Sequence, residues 1–305
     1  MTNRRPQNIA ASVHQRLLNK ARETGRPFTE LLQYFAMERF LYRLSKSPHV
    51  EKFVLKGALM LTVWRAPLSR PTMDIDVLGQ TDNSVDSIIK IVKDICGQDV
   101  NADGLIFDVT SVQGERITED ANYEGVRIRF RGKLGTALFA IQFDVGFGDI
   151  IIPSPLYLDY PTILEFPAPH LRGYTKESTI AEKFEAMVKL DILNSRLKDF
   201  FDIWLLSRQF DFDGETLAKA ITMTFSARGT GIPSEPPPLT DTFASDATKV
   251  KQWQGFIRKN RLTDVPEDFR KIIKDLATFL GPIAVSLAAG QAFKRIWKAP
   301  GPWSS

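Results

Sequence analysis

The sequence has little cysteine and histidine. Its 305 residues include one cysteine, Cys96, and three histidines. A single thiol cannot form a disulfide within the chain or supply a cysteine-rich zinc site, so we expect a reducing, cytoplasmic environment. The histidines, His14, His49 and His170, are scattered along the sequence, and we assign none of them a catalytic role.

The sequence also lacks long apolar runs. The longest apolar stretch, near residues 279–289, is interrupted by glycine, proline and serine and is too short to span a bilayer. The stretch MTNRRPQNIAASVHQ contains no apolar core of signal-peptide length. We therefore expect no membrane partner.

The composition is that of a folded, mildly basic protein. Apolar residues make up 43% of the chain and charged residues 25%, which is enough for one large domain or two closely packed domains. The net charge of +4 permits a polyanionic partner, but it does not require one, because many basic proteins bind no nucleic acid.

Local patterns predict a mixed α/β (α+β), bilobed protein. Two helices are expected within residues 8–46 and one at 84–97, strands at 105–113, 125–133 and 137–147, and helices from Lys176 onward. The Gly- and Pro-rich residues 226–240 are a loop or a linker. The predicted domains are an N-terminal helical arm (1–48) packed on the core, a mixed-sheet core (49–170) and a helical C-terminal domain (171–305) that completes the active site.

Two aspartates interrupt an apolar run in FVLKGALMLTVWRAPLSRPTMDIDVLG, residues 53–79. Side chains alternate between the faces of a strand, so Asp74 and Asp76 share one face. Two carboxylates held this close repel each other unless a cation lies between them, and oxygen ligands on a rigid strand suit Mg²⁺, or Mn²⁺. The alternative is an ordinary Asp-x-Asp pair on an exposed sheet face.

Neighbouring residues favour the metal hypothesis. A second strand, FAIQFDVGFGD, offers Asp144 as a third carboxylate for a two-metal site. Gly57 has no side chain, so its backbone can approach a phosphate. Arg65 and Arg70 can pair with phosphate oxygens, and Thr72 supplies a hydroxyl beside the acids.

A lysine lies on the apolar face of the helix predicted within residues 178–190. On a helical wheel, Lys183 falls between Met187 and Leu190, whereas Glu182 and Glu185 fall on the solvated face. A lysine in an apolar stripe must extend to solvent or pair with an anion, and a nucleoside triphosphate is one such anion.

The next predicted helix carries two acids that could pair with Lys183 in place of a triphosphate. Asp199 and Asp202 are neighbours at i, i+3. Lys183 therefore either pairs with one of them as a buried ion pair or contributes to catalysis, and the two roles are compatible. Asp191, also on the apolar stripe, is a rival carboxylate.

The segments FVLKGALML, RPTMDIDVLG and AEKFEAMVKLDILNSRLKDFFDIWLL together resemble the AbiEii nucleotidyltransferase toxin family, and the likeness covers most of the chain. The resemblance implies a polymerase β-like nucleotidyltransferase core and a Mg²⁺-dependent enzyme that uses a nucleoside triphosphate (NTP). It also implies a toxin–antitoxin pair with an AbiEi-like antitoxin. Some relatives transfer nucleotides to the 3′ end of tRNA, which stops translation.

The resemblance assigns roles to particular residues. Gly57 and the Asp74–Asp76 pair match the superfamily pattern, although Ala58 stands where a second glycine or a serine is expected and the spacer is somewhat long. Lys183 matches the helical lysine, and Asp199 matches the acid of the last motif. Asp144 is a weaker match to the third carboxylate. The full expected nucleotide-binding set is Lys56, Gly57, Arg65, Arg70, Thr72 and Asp202.

The expected function is therefore a nucleotidyltransferase toxin that transfers a nucleoside monophosphate to tRNA or another RNA, as in phage defence. The RNA would contact a basic surface of the helical half, which is alternatively an ordinary solvated surface; its residues are Arg228, Arg258, Lys259 and Arg261. Three alternatives remain: transfer to a small molecule or a protein, a catalytically inactive binding protein, and a toxin that binds nucleotide without transfer.

Overall fold

The computed structural model describes residues 8–66, 71–120 and 123–305, and the chain forms two compact units. The first unit comprises the described residues of Met1–Trp64, Thr72–Gly148 and Leu156–Gly173. The second comprises those of Arg65–Pro71, Asp149–Pro155 and Tyr174–Ser305. The predicted arm (1–48) and most of the predicted core therefore lie in one unit.

The first unit combines helices with one mixed sheet. In chain order its elements are α1 (Ile9–Thr24), α2 (Phe28–Lys46), β1 (Phe53–Lys56), α3 (Leu59–Val63), β2 (Asp74–Gly79), α4 (Val85–Cys96), β3 (Leu105–Asp120), β4 (Tyr123–Leu134), β5 (Ala137–Phe147), β6 (Leu156–Asp159) and β7 (His170–Gly173).

The seven strands are ordered β3-β4-β5-β2-β1-β7-β6. Strand β2 runs parallel to β5 and antiparallel to β1, whereas β3, β4 and β5 form an antiparallel meander. This arrangement confirms the predicted mixed sheet and places β2 at the centre, between the strand that ends in Lys56 and the strand that carries Asp144.

One face of this sheet packs against helices. The ring of Phe40 on α2 lies 4.9 Å from that of Phe130 on β4 and 5.5 Å from that of Phe143 on β5, measured between centroids. Ile75 and Val77 of β2 are also buried, because apolar residues at every second position face the same side. The polar residues between them consequently share the other face.

The second unit is largely helical, as predicted. Its elements are α5 (Lys176–Leu190), α6 (Leu197–Gln209), β8 (Phe212–Asp213), α7 (Gly214–Ala227), α8 (Asp241–Ala244), α9 (Ala247–Asn260), α10 (Phe269–Ala288), β9 (Ile296–Trp297) and β10 (Trp303–Ser304). Strands β8, β9 and β10 form a small antiparallel sheet. Residues 228–236 lie in this unit as a loop, so the linker alternative for 226–240 is wrong.

Aromatic rings fill the core of the second unit. Phe279 of α10 stacks on Trp303 with a centroid distance of 5.5 Å, and Trp297 contacts both. Within the described parts of the chain, no helix has the length and apolar content needed to cross a membrane.

Candidate functional site

The two predicted acids of β2 lie on the polar face of the sheet. Asp74 and Asp76 alternate with the buried Ile75 and Val77, as the sequence predicts. The register places Asp76 opposite Lys56 on one neighbouring strand and opposite Asp144 on the other. Directly opposed residues point to the same face. The sheet therefore brings one lysine and two carboxylates into a single row.

The turn after β1 is shaped around Asp76. Gly57 has a φ of +72°, a left-handed conformation that side chains disfavour. A Cβ at this position would lie 2.2 Å from Oδ2 of Asp76. Glycine therefore permits close approach of the turn to the carboxylate, and any side chain at this position would displace Asp76.

Asp144 is engaged by an arginine for which the sequence predicted no role. Arg127 of β4 donates to both carboxylate oxygens, with Nε–Oδ1 and Nη2–Oδ2 distances of 2.9 and 2.8 Å. The amide of Gln142 donates to Oδ2 at 3.1 Å. Hydrogen bonding to Asp144 raises the pKa of Arg127 above its usual range, so the guanidinium keeps its charge. Asp144 as a metal ligand stays a prediction.

The chemistry of the β2 acids suits a hard divalent cation. Mg²⁺ is typically bound by one or two carboxylates together with waters and substrate phosphates, so Asp74 and Asp76 suffice as protein ligands. Among the residues that the structure describes, no group of three or more His, Cys, Asp or Glu side chains is arranged to hold a metal ion.

Of the other predicted nucleotide-binding residues, the structure describes Thr72 and Arg65. The amide of Thr72 donates to the hydroxyl of Tyr34 at 2.9 Å, and the Thr72 hydroxyl lies 3.4 Å from the carbonyl oxygen of Asp74. Thr72 therefore borders the acids. Arg65, with a φ of +55°, is grouped with the second unit. Arg70 lies outside the described residues.

A buried charge cluster joins α5 to α6 in the second unit. Nζ of Lys183 lies 2.8 Å from Oδ1 of Asp199 and 2.8 Å from Oδ2 of Asp202, and Nε of Arg196 lies 2.9 Å from Oδ2 of Asp199. Both aspartate side chains are 1% exposed. The lysine thus pairs with both acids that the sequence offered as partners, whereas Asp191 is exposed.

Electrostatics decide the ionisation of Asp199. Burial alone would raise its pKa, but attraction first by Lys183 and then by Arg196, with the hydrogen bond from Lys183, holds the pKa below its ordinary value. Asp199 is therefore held in its ionised form by the two cations beside it.

Two predictions on the helical half are wrong. Glu185, expected on the solvated face, is 1% exposed and accepts hydrogen bonds from Arg228 at 2.9 Å and Thr230 at 2.5 Å. Arg228, expected on an RNA-binding or solvated surface, also donates to Asp149 at 2.8 Å. The cause of both errors is the loop after α7, which returns Arg228 to α5.

The charge on Arg228 is neutralised locally. Burial alone would lower its pKa, but the nearby carboxylates of Glu182 and Asp149 raise it above the usual range. The other cations of the predicted basic surface, Arg258, Lys259 and Arg261, are exposed around the end of α9. Their contact with RNA stays a prediction, as does the alternative of an ordinary solvated surface.

Comparisons with known proteins identify a family. A family model described as nucleotidyl transferase AbiEii toxin, type IV TA system, matches residues 39–275. No curated protein matches the chain. JHP933 from Helicobacter pylori is similar in structure, with 15% identity, 92% of each chain covered and a TM-score of 0.45. A candidate nucleotidyltransferase from H. pylori shows 16% identity, 91% and 94% coverage and a TM-score of 0.42.

Proposed function

Because the chain belongs to the AbiEii nucleotidyl transferase toxin family of type IV toxin–antitoxin systems, we propose that it transfers a nucleoside monophosphate from an NTP to the 3′ end of tRNA. Such a transfer would block translation and arrest growth, as in phage defence. Membership of the family implies an antitoxin partner, for which an AbiEi-like protein is the proposed candidate.

One observation carries this proposal. Asp74 and Asp76 lie on the polar face of the central strand, and Gly57 leaves room for the Asp76 carboxylate against the turn after β1. The combination of an Asp-x-Asp pair with a glycine of positive φ beside it favours a functional site. An Asp-x-Asp pair on an ordinary exposed sheet face needs no such glycine. The two carboxylates would hold Mg²⁺, which when bound supplies charge neutralisation for phosphates and activation of the acceptor hydroxyl.

Residues of the chain itself would orient the nucleotide. Lys56 lies opposite Asp76 in the same row, where an ammonium group suits a phosphate oxygen. The Thr72 hydroxyl borders Asp74. Lys183, held by the buried Asp199 and Asp202, is proposed as a cation that neutralises triphosphate charge as pyrophosphate departs.

The direct test is transfer of label to RNA. The purified protein is incubated with Mg²⁺, total bacterial tRNA and each α-labelled NTP in turn. The comparison uses Asp76→Asn, which keeps the side-chain shape, and Asp99→Asn, which alters an exposed carboxylate in the same unit. We expect label on tRNA from the wild type and Asp99→Asn, and none from Asp76→Asn.

Other results have defined meanings. If the folded wild type binds an NTP by calorimetry but labels no tRNA with any of the four nucleotides, tRNA is not the acceptor, and proteins and small molecules are tested next. If Asp76→Asn arrests growth of bacterial cells as strongly as the wild type, the toxin acts by binding, and the catalytic proposal is wrong.

A further inference from the structure

A row of cations runs along β4 on the same face as the β2 carboxylates. The sequence VRIRFRGKL places Arg127, Arg129, Arg131 and Lys133 at every second position, so all four share one face of the strand. Arg127 is committed to Asp144. The other three are exposed, and we call Arg129, Arg131 and Lys133 the basic row.

The register connects the basic row to the acids. Arg129 lies opposite Gln142 on β5, which in turn lies opposite Asp74 on β2. Two strand spacings separate the backbones of Arg129 and Asp74 by about 10 Å. From Arg129 the row continues for four residues to Lys133, or about 14 Å at the rise of an antiparallel strand. The basic row therefore begins beside the carboxylates and leads away from them.

The β5 side of the row carries no competing charge. The residues opposite Arg129, Arg131 and Lys133 on β5 are Gln142, Ala140 and Leu138. Among the described residues that face this side of β5, an anion would therefore meet cations along one side and no carboxylate until it reached the β2 acids and Asp144.

The β3 side of the basic row carries two acids, and their interactions with the cations of the row are weak. Glu115 pairs with Arg129 at 2.7 Å, but both side chains are more than half exposed, and such pairs contribute about 0 to 1 kcal/mol. Asp108 lies opposite Arg131, and its Oδ1 accepts hydrogen bonds from the amide and hydroxyl of Thr110. Neither acid buries its cation, so both cations remain available to phosphate.

Exposed apolar side chains flank the far end of the row. Lys133 lies between Ile106 of β3 and Leu138 of β5, which are 59% and 79% exposed. Single exposed apolar side chains are ordinary on protein surfaces, but two that flank one cation make this end of the row both apolar and basic. Nucleobases have apolar faces that fit this environment, and the phosphates beside them fit the cations.

We propose that the basic row binds the phosphate backbone of a single-stranded RNA whose 3′ end lies at the Asp74–Asp76 carboxylates, an assignment of the acceptor that rests on the proposed function. Cations at every second residue of a strand are about 6.8 Å apart, a repeat that suits successive phosphates of an extended chain. This surface belongs to the first unit, whereas the exposed cations named from the sequence belong to the helical half.

The test measures RNA binding without requiring catalysis. The probe is a fluorescein-labelled single-stranded RNA of about 12 nucleotides, within the site sizes of single-strand binders. Its fluorescence anisotropy is followed with the full-length protein between about 50 and 200 mM salt. The test variant is Arg131→Gln/Lys133→Gln, which leaves Arg127 and Arg129 intact.

A matched control removes the same charge from the other side of the sheet. Lys90 and Lys93 are exposed on α4, which packs on the face opposite to the basic row, because Val85 of α4 approaches Gly114 beside Ile128. Lys90→Gln/Lys93→Gln therefore has an equal change in net charge. A charge-conserving variant, Arg131→Lys, keeps the phosphate contact.

We expect the test variant to bind RNA about tenfold or more weakly at low salt, with a slope of log Kd against log salt that is smaller by about 1.4, or 0.7 for each lost contact. The control and Arg131→Lys should match the wild type. Equal loss in test and control variants, or no loss in either, would overturn the proposal. Tighter binding to labelled poly-L-glutamate than to RNA, lost in the test variant, would instead assign the row to an acidic protein.

These outcomes are distinct from failure of the proposed function. Transfer of nucleotide by a test variant with normal RNA binding would refute the role of the row and leave the enzyme assignment intact. If the wild type binds RNA through the basic row but transfers no nucleotide, the enzyme assignment is refuted and the role of the row in RNA binding stands.

Discussion

Lys183→Met tests whether the buried cluster of the second unit is held together by its lysine. Methionine keeps most of the apolar length of the side chain but removes the charge that lies 2.8 Å from both Asp199 and Asp202. The two carboxylates are 1% exposed, so water cannot replace the lost ammonium group without opening the junction of α5 and α6. We therefore expect a large loss of stability.

The size of the loss follows from breaking one side of a buried ion pair. Removing one partner leaves an uncompensated buried charge and typically costs about 3 to 5 kcal/mol in the free energy of unfolding. The exposed Lys189 on the same helix provides the control, since removing an exposed charge should change this free energy by less than about 1 kcal/mol.

The loss should depend on pH in a defined direction. In the wild type the pKa of Asp199 is held below its ordinary value, so its ionised form stabilises the fold above about pH 4, and that contribution is lost as the pH falls through the folded pKa. Without Lys183, only Arg196 opposes the effect of burial on Asp199, so the pKa of this carboxyl rises and the buried acid becomes more costly as the pH rises. The difference between wild type and variant should therefore be largest near neutral pH and shrink on acidification.

Urea unfolding followed by tryptophan fluorescence measures this difference in the relevant part of the chain. Four of the five tryptophans lie in the second unit: Trp204, Trp253, Trp297 and Trp303. A Lys183→Met protein that is within about 1 kcal/mol of the wild type at neutral pH would refute the reasoning. A loss that stays constant between neutral and acidic pH would do the same. Transfer of label, measured where the variant is still folded, reports separately on the proposed catalytic role.

Three further predictions follow from single side chains. Gly57→Ala should abolish transfer of label and destabilise the protein more than Gly135→Ala, because both positions have positive φ but only at Gly57 does a Cβ meet Asp76; the Gly135 change should cost only about 1 to 2 kcal/mol in urea unfolding. Arg228→Gln should lower the free energy of unfolding by about 3 kcal/mol or more, since it strands buried carboxylates, and an unchanged urea midpoint would return this arginine to the solvated surface. Burial raises the pKa of the Cys96 thiol to about 12, so iodoacetamide at about pH 8 should alkylate it only after unfolding, as mass spectrometry would show.

Much of the candidate site could be predicted because strands impose a period of two. Alternation alone assigns Asp74, Asp76 and Asp144 to the polar sides of their strands, and the structure places all three on one face. Alternation also identifies the apolar partners, since Phe143 and Ile75 must then point into the core. The family resemblance, carried by motifs along most of the chain, is confirmed by the family model.

Pairing between distant segments could not be predicted in the same way. The helical wheel placed Glu185 in solvent because it considers α5 alone, whereas the loop after α7 brings Arg228 and Thr230 onto that face. A buried carboxylate is stable only with such partners, and they come from 43 and 45 residues away. No local pattern in the sequence predicts that the loop after α7 packs against α5.

The partner of Arg127 cannot be predicted from alternation within β4 alone. The sequence GVRIRFRG predicts a strand, but the partner of each arginine depends on the register between β4 and β5, which the tight turn around Gly135 sets. A slip of one residue would turn Arg127 into the core and Ile128 onto the acids, exchanging every contact on both faces. The buried side chains Val126, Ile128 and Phe130 therefore fix the register that delivers Arg127 to Asp144 and aligns the basic row with the β2 carboxylates. Packing on one face of β4 thus determines the electrostatics of the other, and substitutions in this core should alter RNA binding through the register of the strand.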